Sequence, residues 1–183
     1  MANLGNLKIQ LVAAERNFRD EELFVPENVF SDAGAFVSIA SNTTKTITGM
    51  LGGTVHPDTK IEDIVVDDLD ALVIAGGSGS PRYLWDNEAL LEKVRDAHKK
   101  GKIIGAICLS GAILAQAGIL KGKRGTVFPT EDAISILNRN GVTYVNQGVV
   151  VSDNIVTAQG PENAKEFAQA VLSLVRPRIV SVG

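Results

Sequence analysis

The sequence predicts an α/β fold of the flavodoxin-like kind, a three-layer sandwich with a mostly parallel central sheet and helices on both faces. Three observations predict it. The short runs "LKIQLVAA", "AFVSIAS", "DALVIAGG" and "GKIIGAIC" are rich in β-forming residues and end in glycine or small polar residues, as strands do. They are apolar on both faces, which suits strands covered from above and below. Helical patterns fill the gaps between them, and such alternation builds a parallel sheet.

Each element has its own signals. After the first strand, Asp20 or a neighbour can cap a helix through "EELFVPENVFSDAG", with Leu23, Val29 and Phe30 on one face and Gly34 as the stop. Pro26 is expected within its first turns, where proline is tolerated. "NEALLEKVRDAHKKG" is an amphipathic helix with Leu90, Leu91, Val94 and Ala97 at core spacing, basic residues in the last turn, and Gly101 at its end. From Leu109 the run "LSGAILAQAGIL" is helical. "RNGV" at Asn140 and Gly141 is a turn, and "VVVSDNIVTAQG" is a hairpin around Asp153 and Asn154. The last helix, "PENAKEFAQAVLSLVR", starts with proline suited to N1 and stops before Pro177. The tail "RPRIVSVG" carries no assignment.

Composition narrows the function. The 183 residues suit one domain over 1–183, with no repeat or linker. A net charge of −3 leaves no positive field for nucleic acid or an anionic membrane surface, and no run is long and apolar enough to span a bilayer. No leader pattern opens the chain, and a lone cysteine suits a reducing compartment, so a cytoplasmic protein is expected. Metal-ligand spacing of cysteine and histidine is absent, and the glycines of "AGGSGSP" do not follow the dinucleotide pattern; neither a metal nor a cofactor is expected.

Cys108 is the single cysteine, and it falls at the junction between the strand "KIIGAI" and the helix that follows. Ligands of parallel sheets bind at the carboxyl ends of strands. The junction has part of the nucleophile-elbow pattern, with Ala106 and Ser110 where that pattern has glycines. A thiol facing the N–H groups of a helix start is expected to ionise well below the usual value of about 8.5. Free cysteines are also among the most buried residues, so a small core hydrophobe is the competing reading.

The block "GKIIGAICLSGAILAQAGILKGKRGT" resembles the elbow of the PfpI superfamily, which includes intracellular cysteine peptidase-like proteins and the Parkinson-disease-associated deglycase. "DEELFVP", "DALVIAGG" and "VVVSDNIVTAQGP" support the resemblance in the right order. It implies a class I glutamine amidotransferase-like fold and assembly as a homo-oligomer, often a homodimer. It also implies site roles: Cys108 as nucleophile, Glu22 as the carboxyl against its sulfur, and the backbone of Gly76, Gly77 and Leu109 as the oxyanion and substrate-binding segment. A carboxyl buried beside a thiolate is pushed toward its protonated form and can then exchange protons with a substrate.

The sequence departs from two versions of that pattern. Peptidase-like members have histidine after the nucleophile and an acidic group after the double glycine, where this chain has Leu109 and Arg82. Deglycase-like members bring a histidine or tyrosine from the segment matching "GTVFPTED", where Phe128 stands here. The two histidines read as structural, His56 at an edge and His98 at a helix end. A cysteine–glutamate pair suffices for addition to a reactive carbonyl, which requires no amine expulsion. The expected function is therefore glyoxalase or deglycase chemistry on small carbonyl substrates, with a redox-sensing or chaperone-like stress protein and a peptidase-like protein as the alternatives. Trp85 and Tyr83 read as amphipathic core anchors, with cover of the pocket mouth or of an oligomer interface as the alternatives, and "KGKRG" as a solvated turn.

Overall fold

A computed structural model of the chain describes residues 6–175. In chain order its strands are β1 (Lys8–Val12), β2 (Arg16–Phe18), β3 (Phe36–Ser41), β4 (Ile47–Gly49), β5 (Thr54–Val55), β6 (Thr59–Lys60), β7 (Ala71–Ile74), β8 (Ile103–Ile107), β9 (Arg124–Gly125), β10 (Thr143–Tyr144), β11 (Val149–Ser152) and β12 (Ile155–Ala158). The helices are α1 (Asp20–Asp32), α2 (Ser80–Tyr83), α3 (Glu88–Lys99), α4 (Gly111–Ala117), α5 (Glu131–Arg139) and α6 (Ala164–Leu174). Seven strands form the central sheet in the order β11-β12-β8-β7-β1-β3-β6. Every neighbouring pair in it is parallel except β11 with β12. The α/β, mostly parallel, doubly covered architecture is the one the sequence predicts.

Side-chain alternation splits the core into two clusters, one on each face. Leu72, Ile74, Ile104 and Ala106 point to the face covered by α3, α4 and α5. Ala71, Val73, Val156 and Ala158 point to the face covered by α1 and α6, with Phe30 and Phe167 as the large anchors. Burial on both sides is why β7 reads as an unbroken apolar run, and why β12 is interrupted only by Thr157, whose Oγ1 accepts from Thr126 N–H at 3.0 Å.

The strand order creates the functional end of the sheet. From β1 the chain moves outward to β3 and β6, then returns to place β7 on the other side of β1. The connections leaving β1 and β7 therefore run in opposite directions and leave a crevice at the carboxyl ends of these two strands. The loops after β1 and β7 border it, and β8 delivers the elbow next to them.

Several local expectations need correction. Asp20 does not cap α1: it is the first helical residue, Arg19 holds the cap position, and no side chain caps the helix. Pro26 is the seventh residue of α1, past the first turn, and it deprives the Glu22 carbonyl of its helical N–H donor. The elbow begins as a 3-10 turn over Cys108–Ser110, and α4 follows only from Gly111. Pro161 likewise lies in a 3-10 turn before α6. "KGKRG" is an exposed turn at Lys121 and Gly122, and it leads into Lys123, which pairs with Asp153 at 3.0 Å, and Arg124–Gly125, which form β9. Helix α5 and the small sheet β2-β4-β5 were not anticipated. Pro177 and nearly all of "RPRIVSVG" lie outside the described residues.

Candidate active site

The elbow is built by a conformation that ordinary residues avoid. Cys108 has φ of 61°, in the left-handed region, which costs a non-glycine residue on the order of 1–3 kcal/mol unless its surroundings hold it there. The surroundings do so at three consecutive residues. Phe128 N–H donates to the Cys108 carbonyl at 3.1 Å, Trp85 Nε1 donates to the Leu109 carbonyl at 2.8 Å, and Ser110 Oγ donates to the Ala75 carbonyl at 2.7 Å. Ser80 Oγ meets Ser110 Oγ at 2.8 Å and ties the loop after β7 to the same turn. The strained residue is thus fixed from β7, α2 and the segment before α5.

Glu22 comes to this turn from the first turn of α1. Arg19 N–H donates to the Gly76 carbonyl at 2.9 Å, which pins the start of α1 to the loop after β7. The Glu22 side chain is fully buried, and neither carboxyl oxygen has a hydrogen bond of full geometry; the Cys108 thiol and the Gly76 backbone are the polar groups nearest to it. Gly76 leaves the space for this meeting, because a Cβ there would lie 2.6 Å from Cys108 Cβ and 2.8 Å from Glu22 Oε1. Gly77 has φ of 112°, and a Cβ on it would strike the Arg19 nitrogen. The backbone N–H groups of Gly77 and Leu109 face the sulfur. The structure therefore brings all five sequence-predicted site residues, Cys108, Glu22, Gly76, Gly77 and Leu109, to one place.

The electrostatics differ from the sequence expectation in one respect. Burial pushes the Glu22 carboxyl up to about 8, so it is largely protonated at neutral pH, as expected for a carboxyl beside a thiol. Cys108, however, is not lowered: burial first, and the like charge of a Glu22 carboxylate second, push its thiol up to about 12. The Gly77 and Leu109 N–H groups oppose that rise. Only 6% of Cys108 is exposed, and the 3-10 turn places just these two donors at the sulfur rather than a full helix terminus. When Glu22 is protonated its like charge is gone, and it becomes a third potential donor to a thiolate. The two groups therefore titrate as a pair, in which a proton on Glu22 favours ionised sulfur.

The sequence profile of the DJ-1/PfpI family matches residues 8–174. The chain belongs to the DJ-1/PfpI family. An uncharacterised protein of Methanocaldococcus jannaschii is 44% identical over 173 residues, 94% of this chain and 84% of the relative. "Deglycase PfpI" of Pyrococcus furiosus is 32% identical, spanning 93% of this chain and 100% of the relative. A "glutathione-independent glyoxalase" of Caenorhabditis elegans is 28% identical, spanning 82% and 79%. Among solved structures, the ThiJ/PfpI domain protein of Brachyspira murdochii superposes with a TM-score of 0.86 at 32% identity, covering 92% of this chain and 95% of that one.

Within this DJ-1/PfpI chain, neither histidine acts on Cys108. His56 is exposed, with Nδ1 2.9 Å from Thr46 Oγ1, and His98 lies in the last turn of α3, at the opposite end of the sheet from the elbow. Phe128 contributes its backbone N–H while its side chain is 41% exposed. Trp85 and Tyr83 pack partly buried against the α3–α4 core, and the Trp85 indole also braces the elbow.

Sequence reasoning missed two supports. Asp20, expected to cap its own helix, is buried and accepts hydrogen bonds from Leu51 N–H and Gly53 N–H, each at 2.8 Å, which clamps the β4–β5 hairpin beside the site. Met50 on that hairpin accepts a contact from Ser78 N–H at 3.4 Å. The Ser80–Ser110 link carries no local signal, since its two residues lie 30 positions apart in the chain.

Proposed function

We propose that this DJ-1/PfpI protein is a cysteine-dependent enzyme acting on reactive carbonyls, of the glyoxalase or deglycase type, with Cys108 as nucleophile and Glu22 as acid–base partner. The observation that carries this reading is the fully buried Glu22 carboxyl, without a full hydrogen bond of its own, set against the sulfur of a strained elbow cysteine. A carboxyl desolvated in this way costs stability, and such sites concentrate where a proton must be moved. The names of the Pyrococcus and Caenorhabditis relatives support the same substrate class.

The geometry suits a 2-oxoaldehyde. The ionised sulfur bonds to the aldehyde carbon, the carbonyl electron pair moves to oxygen, and Glu22 delivers its proton there while Gly77 and Leu109 N–H groups stabilise the charge. The Glu22 carboxylate then takes the hydrogen of the former aldehyde carbon as a proton, the C–H electron pair forming an enediolate, and returns it to the neighbouring carbon while the hydroxyl proton passes from the first oxygen to the second. That carbon is reduced from ketone to alcohol as the first is oxidised to a thioester. Water cleaves the C–S bond, giving a 2-hydroxy acid and restoring the cysteine–glutamate pair. The oxidation and reduction balance within one molecule, so the reaction consumes only water. A homo-oligomer of a single 1–183 domain, kept reduced in the cytoplasm, belongs to the same proposal.

The experiment is incubation with methylglyoxal, with lactate as readout. Wild-type protein is expected to form lactate, and Cys108→Ser and Glu22→Gln are expected to lose it. Lactate formation at wild-type rate by Cys108→Ser would overturn the mechanism.

A further inference from the structure

The crevice at the switch between β1 and β7 holds more than the cysteine. Strand β2, the loop after β7 and the short helix α2 border an open pocket of about 650 Å³ lined by Arg16, Asn17, Ser78, Gly79, Arg82 and Tyr83, of which Arg16, Asn17, Ser78 and Arg82 are exposed. Ser78 follows directly on Gly77, and a Cβ on Gly77 would lie 2.5 Å from the Asn17 carbonyl oxygen, so the pocket adjoins the loop that carries Gly76 and Gly77. Its walls are zipped together: Gly79 N–H donates to the Asn17 carbonyl at 3.0 Å, and Asn17 takes φ of 56° to allow it. In open parallel sheets this crevice is where ligands bind.

The charge of the pocket is unlike that of the protein. The chain carries a net charge of −3, yet the two charged side chains lining this space are both arginines. Among the described residues neither Arg16 nor Arg82 forms an ion pair, although Arg19, Lys60, Lys100 and Lys123 all do. Arg82 is held instead over the Tyr83 ring, 5.4 Å from its centre, which orders the guanidinium without neutralising it. Guanidinium groups bind carboxylate and phosphate with two parallel hydrogen bonds. Asn17, Ser78 and Tyr83 are the neutral polar residues of the same lining.

We infer that this pocket anchors an anionic group of the substrate, so that the preferred carbonyl compound carries a carboxylate or phosphate a few bonds from its reactive carbon. The inference rests on the carbonyl-directed reading of Cys108 and Glu22, and it adds the charge of the substrate. A carboxylate held between Arg16 and Arg82 leaves the other end of a short chain within reach of Gly77 and the sulfur. Methylglyoxal has no group to fill the pocket and is expected to be a poor substrate by comparison.

The test compares methylglyoxal with 4,5-dioxopentanoate, a 2-oxoaldehyde ending in a carboxylate, whose product by the same chemistry is 2-hydroxyglutarate. The anionic compound is expected to have at least a tenfold higher kcat/KM, falling as salt is raised. Arg16→Gln with Arg82→Gln is expected to raise its KM at least tenfold, while Lys121→Gln, removing a charge from an exposed turn, is expected to leave it unchanged. In parallel, titration with inorganic phosphate and with succinate is followed by NMR at the Asn17, Ser78 and Gly79 amides; saturable shifts lost in the double variant are expected. This arm reads the pocket even where neither aldehyde is turned over, which separates failure of the pocket from failure of the carbonyl chemistry. Absence of saturable shifts, or a preference for the anionic aldehyde that survives in the double variant, would overturn the inference. Shifts unaccompanied by any such preference would overturn the role of the pocket as a substrate anchor.

Discussion

Helices α1 and α3 are nearly the same length, 13 and 12 residues, and both open with acidic residues, but they use them in opposite ways. In α3, Glu88 is exposed in the first turn, Asn87 Oδ1 caps the Leu90 N–H at 3.1 Å, and His98 and Lys99 stand near the negative end. Each choice lowers the free energy of the helix. In α1 no side chain caps the helix, Asp20 turns away to hold another loop, Glu22 is buried without a full hydrogen bond, and Pro26 interrupts the backbone ladder. The comparison separates a segment selected for stability from one that gives up stability to place a titratable group against Cys108.

Breaking the α1 side should cost activity more than it costs folding. Cys108→Ser is expected to reduce turnover of reactive carbonyls at least about 10³-fold, and Glu22→Gln by about 10²- to 10⁴-fold, the usual worth of a positioned acid–base group, both read by product formation. Glu22→Gln should also change the stability profile. The Glu22 carboxyl in the folded chain is raised from 4.5 to about 8, so the folded state binds the extra proton and wild-type stability falls as pH rises between these values. Relative to wild type the variant is expected to gain stability from about pH 4.5 upward, reaching roughly 3–5 kcal/mol by pH 8 to 9, measured by urea unfolding at each pH.

Breaking the α3 side should do the reverse. Leu90 is fully buried in the core on that face, and Leu90→Ala is expected to cost about 2–5 kcal/mol while leaving kcat/KM unchanged at temperatures where the variant is folded. Asp20→Ala lies between the two classes. It removes the carboxylate acceptor of the Leu51 and Gly53 N–H groups, with an expected loss of about 2–3 kcal/mol and a loosened hairpin beside the site, visible as faster amide exchange at 50–53. Asn87→Ala should have the smallest effect, about 1 kcal/mol from the lost cap, with no effect on activity.

What could be read in the sequence follows the same division. Strands β1, β3, β7, β8 and the β11–β12 hairpin, and helix α3, announce themselves because local pattern and final burial agree there. Cys108 was legible as an elbow residue because it sits where a strand pattern gives way to a helical one. Glu22 was legible only through the family resemblance, because a glutamate in a first helical turn ordinarily faces solvent. Helix α5 could have been found, since Thr130 accepts from Ala133 N–H at 3.2 Å at the head of an acidic first turn and an apolar set at Ala133, Ile136 and Leu137. The partners of Asp20 and Ser110 could not, because they come from distant segments, 30 to 35 residues away in the chain. The raised rather than lowered Cys108 thiol reflects burial, which the position of a residue at a strand end does not disclose.

Buried Glu22 is thus largely protonated at neutral pH, and its charge, once it ionises, holds back ionisation of the Cys108 thiol beside it. The most direct measurement is a carbon-13 NMR titration of the Glu22 carboxyl, assigned by its absence in Glu22→Gln. A midpoint near 8 is expected, paralleled by Cys108 alkylation that is faster in Glu22→Gln than in wild type at alkaline pH. A Glu22 midpoint near 4.5, with alkylation of Cys108 indifferent to the substitution, would contradict it.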